Sequence, residues 1–195
     1  MERKLIIAGI GGQGVIYATK VLAQAAMMRG ERVMASENHG MSQRGGSVMS
    51  YVKIGGSDAP LIRRGTADAL IAFDRVEAIR NLSFLRAGGS VFVNGADGLE
   101  PAVMARLNEL RIGVHVIGAD ARAKELGSSA VANLVVVGYA AAHDGLGLTL
   151  GDLKEAVQAL GPARAVALNL NALETGAGLA SPRPTDELAG EGLNQ

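Results

Sequence analysis

A short apolar run, Leu5-Ile6-Ile7-Ala8, stops abruptly at Gly9-Ile10-Gly11-Gly12-Gln13-Gly14 and gives way to a pattern of helical period. Val15, Ala18, Val21, Leu22, Ala25 and Met28 recur at three- and four-residue spacing, and Gly30 supplies a stop. A brief, continuously apolar segment is what a strand covered on both faces requires. The chain therefore opens with a buried strand, a tight glycine turn and an amphipathic helix. Arg32 to Ser36 reads as a second strand, so residues 4 to 36 form a β-α-β unit. That start restricts the fold to α/β layers around a mostly parallel sheet.

The pattern continues downstream. Val48, Ser50, Val52 and Ile54 alternate with Ser47, Met49, Tyr51 and Lys53, a strand with one more polar face, closed by Gly55-Gly56-Ser57-Asp58. Ala69 to Phe73 is a further buried strand, followed by a predicted helix to about Arg86 and a stop at Gly88-Gly89. Ser90 to Asn94 and Val114 to Gly118 repeat the theme with a helix between them. The rest is helical. Ser129 to Ala142 is one helix, Thr149-Leu150-Gly151-Asp152 opens a second with a capping box, and Pro162 starts a third whose Val166, Leu170 and Leu173 share a face. The expected architecture is a Rossmann-like three-layer α/β domain over residues 1–178 with a helical C-terminal part. Residues 179–195 are expected to form a loose C-terminal tail, since from Ser181 onward prolines and glycines replace large apolar residues.

Composition removes several kinds of chemistry. The 195 residues contain no cysteine, so a disulfide framework, a cysteine-built zinc site, a thiol nucleophile and a cysteine-held iron–sulfur cluster are all excluded from this chain. Lys+Arg 19 balances Asp+Glu 19, and three Phe, three Tyr and no Trp leave little for base stacking, so no nucleic-acid partner is expected. The balance is uneven: residues 1 to 65 hold nine basic and four acidic side chains, a net of +5, which leaves −5 for the remainder. An anionic ligand or partner would favour the first third. Val131 to Ala142, the longest apolar stretch, is interrupted by Asn133 and falls short of the roughly 20 residues a bilayer demands. The N-terminus lacks a signal-peptide pattern, so a cytoplasmic protein without membrane contact is expected.

Two loops carry the candidate site. Gly9, Gly11, Gly12, Gln13 and Gly14 connect a strand to a helix, where glycines permit a close approach and free N–H groups can bind an anion. Glu37 lies 23 residues beyond Gly14, near where a dinucleotide-binding fold places its ribose-binding acid. On the motif alone, a nicotinamide or flavin site and a purely structural turn both remain open. The second loop is denser. His39, Gly40, Met41, Ser42, Gln43, Arg44, Gly45 and Gly46 follow Glu37-Asn38 at the carboxyl end of a predicted strand. Arg44 could hold a carboxylate or phosphate by paired hydrogen bonds. So many polar groups beside glycines favour a ligand or subunit contact over a rigid surface loop in which Arg44 pairs with Glu37.

These two loops together resemble the gamma subunit or domain of the 2-oxoacid:ferredoxin oxidoreductases, and His39-Gly40-Met41-Ser42-Gln43-Arg44-Gly45-Gly46 is most similar to the small (beta) subunit of the indolepyruvate branch. The resemblance runs on through Pro60-Leu61-Ile62, Ala67 to Ala72 and Glu77-Ala78-Ile79-Arg80, then Glu125-Leu126-Gly127, Asn133 with Gly138, and Asn169 with Ala172 and Gly176. Asp74-Arg75 departs from the family's common Glu-Pro. The resemblance implies a non-autonomous subunit of an enzyme that oxidatively decarboxylates a 2-oxoacid with coenzyme A, reducing ferredoxin. It implies that thiamine diphosphate and iron–sulfur clusters sit on a larger partner subunit, that ferredoxin is met through the complex, and that this chain alone binds no cofactor or metal. The absence of cysteine agrees with that division. Residues 39–46 would complete a substrate or coenzyme A channel, or dock the large subunit; homodimerisation of the isolated chain is left open. A self-sufficient dinucleotide-binding oxidoreductase and a pure scaffold are the alternatives.

The remaining polar residues invite structural readings. His115 lies inside a predicted strand and reads as a core histidine, His143 ends a helix, and the three histidines lack metal-ligand spacing. Asn133 is expected to bond a neighbouring backbone group. Arg63-Arg64 reads as a solvated pair.

Overall fold

Strands β1 (Arg3–Ile10), β2 (Val33–His39), β3 (Ser47–Ile54), β4 (Ala67–Ala72), β5 (Leu85–Asn94) and β6 (Gly113–Ile117) form one sheet with the spatial order β2-β3-β1-β4-β5-β6. The computed structural model describes residues 2–39, 45–56 and 59–180. Strands β1, β4, β5 and β6 run parallel, whereas β3 is antiparallel to both β1 and β2. Central β1 is covered on both faces, which explains its unbroken apolar run: Leu5 and Ile7 enter one core, Ile6 and Ala8 the other.

Helices complete three layers. Beside Leu5 and Ile7 lie α1 (Val15–Met28), α4 (Ala119–Glu125), α5 (Ala132–Ala142), α6 (Leu150–Leu160) and α7 (Ala163–Gly178). The opposite face is covered by α2 (Arg75–Asn81) and α3 (Pro101–Glu109), through Ala78 and Leu107. The long apolar stretch noted in the sequence is α5, buried on almost every side between the sheet and α7. Gly138 and Gly176 let those two helices touch. A Cβ on Gly138 would fall 2.1 Å from the Leu173 carbonyl oxygen, and one on Gly176 would fall 1.9 Å from that of Val135.

Several expectations are refined. Strands β1 and β2 run the same way, but β3 lies between them, so the β-α-β unit spans a gap of one strand. The predicted helix to Arg86 ends at Asn81, a short 3-10 turn covers Leu82–Phe84, and Leu85 already belongs to β5. Gly88-Gly89 is no helix stop. Leu85 pairs with Ala67 and Ser90 with Ala69, so Arg86 to Gly89 bulge out of β5 opposite Asp68. Gly88 accepts φ 71 there, and a Cβ on Gly89 would meet the Asp68 carbonyl oxygen at 3.0 Å. Asp68 braces the bulge, accepting from Arg86 Nε at 2.8 Å and from the Lys4 main-chain N–H at 2.9 Å. Helix α4 had no distinct signal. The capping box at Thr149 and Asp152 is present, and the tail from Ser181 lies outside the described residues.

Candidate functional site

The carboxyl ends of the parallel strands meet at one edge of the sheet. There α1 leaves β1 toward one face and α2 leaves β4 toward the other, although the two strands are neighbours. Such a reversal opens the crevice in which open α/β sheets place ligands. The main-chain N–H of Phe73 donates to the Ala8 carbonyl at 2.8 Å, which holds the two connections together. Asn94 fastens the next two strands, donating to the Phe73 carbonyl at 3.3 Å and accepting from the Ala119 N–H at 3.0 Å.

The glycine turn is closed by its own members. Gln13 Oε1 accepts the Ile10 N–H at 2.7 Å, and the Gln13 N–H donates to the Ile10 carbonyl at 3.0 Å. Gly9 must lack a side chain because a Cβ would lie 2.9 Å from Gln13 Oε1 and from Val15 Cγ2. Gly14 precedes α1 in the left-handed region at φ 78, and no side chain caps the helix. Asn133, from the start of α5, donates to the Gly14 carbonyl at 3.2 Å and accepts from the Leu134 N–H at 2.8 Å. Asn133 thus has the structural role expected of it, although its partner is 119 residues away.

The two glycine loops meet. The Gly11 N–H donates to the Gly46 carbonyl at 2.9 Å, which places residues 45–46 against the turn at the same sheet edge. That bond also occupies an N–H group that a phosphate would otherwise use. The first turn of α1 carries no side-chain cap. Glu37 pairs with Ser50, which pairs in turn with Ile7, so two strand spacings, about 10 Å, separate it from β1. The intervening β3 keeps Glu37 off the strand next to the glycine turn, where a dinucleotide site needs its acid. The backbone of His39 ends β2 opposite Val48. Gly40, Met41, Ser42, Gln43 and Arg44 lie outside the described residues.

One grouping escaped the sequence reading. His115 on β6 and His143 at the end of α5 stand with ring centroids 4.4 Å apart, beside Tyr139, while His115 stacks on Phe92 at 4.7 Å. Burial, reinforced by the neighbouring His143, pushes the His115 imidazole below its ordinary value. The separation of 28 positions between the two histidines hid the pair, which the packing of β6 beside the end of α5 joins. Among the described residues, no three His, Cys, Asp or Glu side chains are placed to hold a metal ion. A cavity of about 370 Å³ between β6 and α4 is lined by Ile117, Arg122, Glu125 and Tyr139, and by none of the described residues of the two glycine loops.

Residues 4–179 match the family model described as pyruvate ferredoxin/flavodoxin oxidoreductase. The chain belongs to that family. Its curated relatives include the indolepyruvate oxidoreductase subunit IorB of Archaeoglobus fulgidus, 34% identical over 90% of this chain and 94% of the relative, and that of Thermococcus kodakarensis, 33% identical over the same shares. Among solved structures, the gamma subunit of a keto/oxoacid ferredoxin oxidoreductase from Geobacter sulfurreducens is similar with a TM-score of 0.70 at 27% identity, over 90% of this chain and 96% of that one. The pyruvate oxidoreductase subunit PORC of Thermotoga maritima shares the fold, with a TM-score of 0.73 at 19% identity over 91% of this chain and 96% of that one.

Membership in this family places the fold's departures in context. Asp74 caps α2, accepting the Val76 and Glu77 N–H groups at 2.8 and 3.0 Å. Arg75 takes the first helical position, where proline is also tolerated, and reaches Glu100 at 2.8 Å. The donor set does not suit a cluster, because iron–sulfur centres are held by thiolates and the chain contains no cysteine. No described helix is long and apolar enough to cross a membrane.

Proposed function

We propose that this chain is the small subunit of a 2-oxoacid:ferredoxin oxidoreductase of the indolepyruvate type, active only with a larger subunit that carries thiamine diphosphate and the iron–sulfur clusters. The observation that carries the reading is the near full-length match to small subunits of that enzyme in a chain without a single thiolate. When bound in such a complex, thiamine diphosphate supplies the carbanion chemistry of decarboxylation and the clusters carry electrons to ferredoxin. The net reaction converts an arylpyruvate, coenzyme A and two oxidised ferredoxins to an acyl-coenzyme A, carbon dioxide, a proton and two ferredoxins each reduced by one electron.

The contribution of this chain lies at the joined glycine loops. The bond between Gly11 and Gly46 lies at the switch-point edge beside the exposed Gly11, Gly12 and Gly45, flanked by the exposed Ile16 and Val76 in the first turns of α1 and α2. A large subunit can approach such backbone closely, and the uncapped first turn of α1 suits a carboxylate or phosphate of a substrate at the junction. A dinucleotide site is disfavoured by the occupied Gly11 N–H and the displaced Glu37.

Co-expression with a large subunit should yield a complex that reduces ferredoxin from indolepyruvate and coenzyme A. Full activity of the large subunit alone, with the two chains purifying apart, would overturn the reading. Arg44→Ala separates two roles for the second loop: intact assembly with impaired turnover marks a site residue, and weakened assembly marks a docking residue.

A further inference from the structure

Glu77 is a carboxylate buried on the inner face of α2. Its side chain is 2% exposed, on the helix face that also buries Ala78 and Asn81. Burying a carboxylate is unfavourable unless it is paired and hydrogen-bonded. Both requirements are met: Arg80 Nη1 donates to Oε1 at 2.5 Å, and the Ser47 hydroxyl donates to Oε2 at 2.6 Å. The Arg80 contact lies within one turn of the same helix and adds nothing to tertiary structure. Among the described residues, the Ser47 contact is the side-chain bond by which Glu77 reaches another element.

Ser47 is the first residue of β3, directly after Gly46, whose carbonyl accepts the Gly11 N–H. A continuous series of contacts therefore runs from Arg80 through Glu77 and Ser47 to Gly46 and Gly11. Glycines at 45 and 46 give the chain no side chains with which to hold itself, and Gly45 adopts φ 72. Ser47 beside them is held twice, by its pairing with Ile10 across β1 and β3 and by the Glu77 carboxylate. Asp74 fixes the other end of this lever, because the Glu77 N–H donates to its capping carboxylate at 3.0 Å.

We propose that Glu77 is a positioning residue which, through the Ser47 hydroxyl, holds Gly45-Gly46 against Gly11 and so sets the surface that the large subunit and its substrate meet. The inference rests on the subunit role proposed above. It assigns the part-buried pair Glu77–Ser47 a part in turnover rather than in stability alone.

The test uses the full chain and its complex with the large subunit, with Ser47→Ala, Glu77→Gln and the double variant. Two readouts are taken: hydrogen exchange at the Gly11 amide in the isolated full chain, and kcat and KM for coenzyme A in the complex, each beside the thermal midpoint. Ser47→Ala is the decisive variant because it removes one hydroxyl and leaves the Glu77–Arg80 pair in place. Loss of one hydrogen bond to a charged group corresponds to about a tenfold change. The expected result is Gly11 exchange faster by about tenfold in each single variant, kcat/KM lower by a similar factor, and a double variant no worse than the poorer single one. Wild-type exchange in Ser47→Ala would overturn the proposal, as would faster exchange with unchanged kinetics in an active complex. If the wild-type chain confers no activity on the large subunit, the subunit role fails and this role in turnover fails with it; the exchange data then report separately whether Glu77 grips the loop.

Discussion

The side-chain amide of Asn133 reaches the carbonyl of Gly14 at 3.2 Å, so the first turn of α5 closes the glycine turn that precedes α1. A Cβ on Gly14 would lie 2.2 Å from that amide nitrogen, and the φ of 78 is unfavourable to any side chain. Gly14→Ala therefore combines backbone strain with a clash and should destabilise the chain by about 2–4 kcal/mol. Asn133→Ala loses two side-chain hydrogen bonds, to the Gly14 carbonyl and from the Leu134 N–H, about 1–3 kcal/mol together, but opens the space that the new methyl needs. Urea unfolding of the full chain should show the double variant less destabilised than the sum of the two single ones. Strict additivity would show that the contact is not the reason for glycine at this position.

Helices α5 and α7 cross where Gly138 faces Leu173 and Gly176 faces Val135. Neither glycine has a positive φ, so space rather than backbone freedom demands them. Alanine at either position forces the helices apart and should cost about 1–3 kcal/mol. Gly178, on the same helix but with nothing within 4 Å of its Cβ direction, serves as the control. There alanine should be neutral or stabilising by up to about 1 kcal/mol, in thermal unfolding of all three variants.

The His115 imidazole, held below its ordinary value by burial and then by His143, makes stability depend on pH in a defined direction. As pH falls through about 6.5, the unfolded chain takes up a proton that the folded chain still refuses. The unfolded state then binds more protons, so stability is full at neutral pH and declines on acidification. His115→Phe preserves a ring against Phe92 and removes the titration. Its unfolding free energy should change less between pH 7.5 and 5 than that of the wild type, with His143→Ala in between, because burial remains when the neighbouring charge is gone. The depressed Asp152 carboxyl does not confuse the measurement. Burial would raise it, but bonds from the Thr149 N–H and hydroxyl, with Arg29, outweigh that, so its contribution is lost only as pH falls below the ordinary carboxylate range.

What the sequence reveals here depends on how far apart the interacting residues lie. The alternation of short apolar runs with helical periods made the three-layer α/β fold legible, and the capping box at Thr149 and Asp152 was a local signal for a local structure. The paired glycine loops were also visible, since each carried its own composition. The insertion of β3 beside β1 was not, because strand order follows from packing between residues such as Leu5 and Val52 that no periodicity links. The same reason hid the pairing of His115 with His143 and the contact of Glu77 with Ser47. Gly88-Gly89 misled, because a glycine pair that ends a helix and one that lets a strand bulge look alike until the partner strand is known.

Ile16 and Val76, in the first turns of α1 and α2, flank the switch-point edge from opposite faces of the sheet, with 37% and 54% of their surfaces exposed. Fully buried by a partner, an aliphatic side chain of this size contributes about 1.5–3 kcal/mol, or a tenfold or greater change in affinity. Aspartate at either position suits the positive end of its helix and should leave folding within about 0.5 kcal/mol of the wild type. Ile16→Asp and Val76→Asp should therefore keep the melting temperature while weakening association with the large subunit by tenfold or more, measured by titration calorimetry. Met27, 55% exposed near the far end of α1, provides the contrast. Met27→Lys should bind as the wild type does, and an equal loss of affinity in all three variants would move the docking face away from the glycine loops.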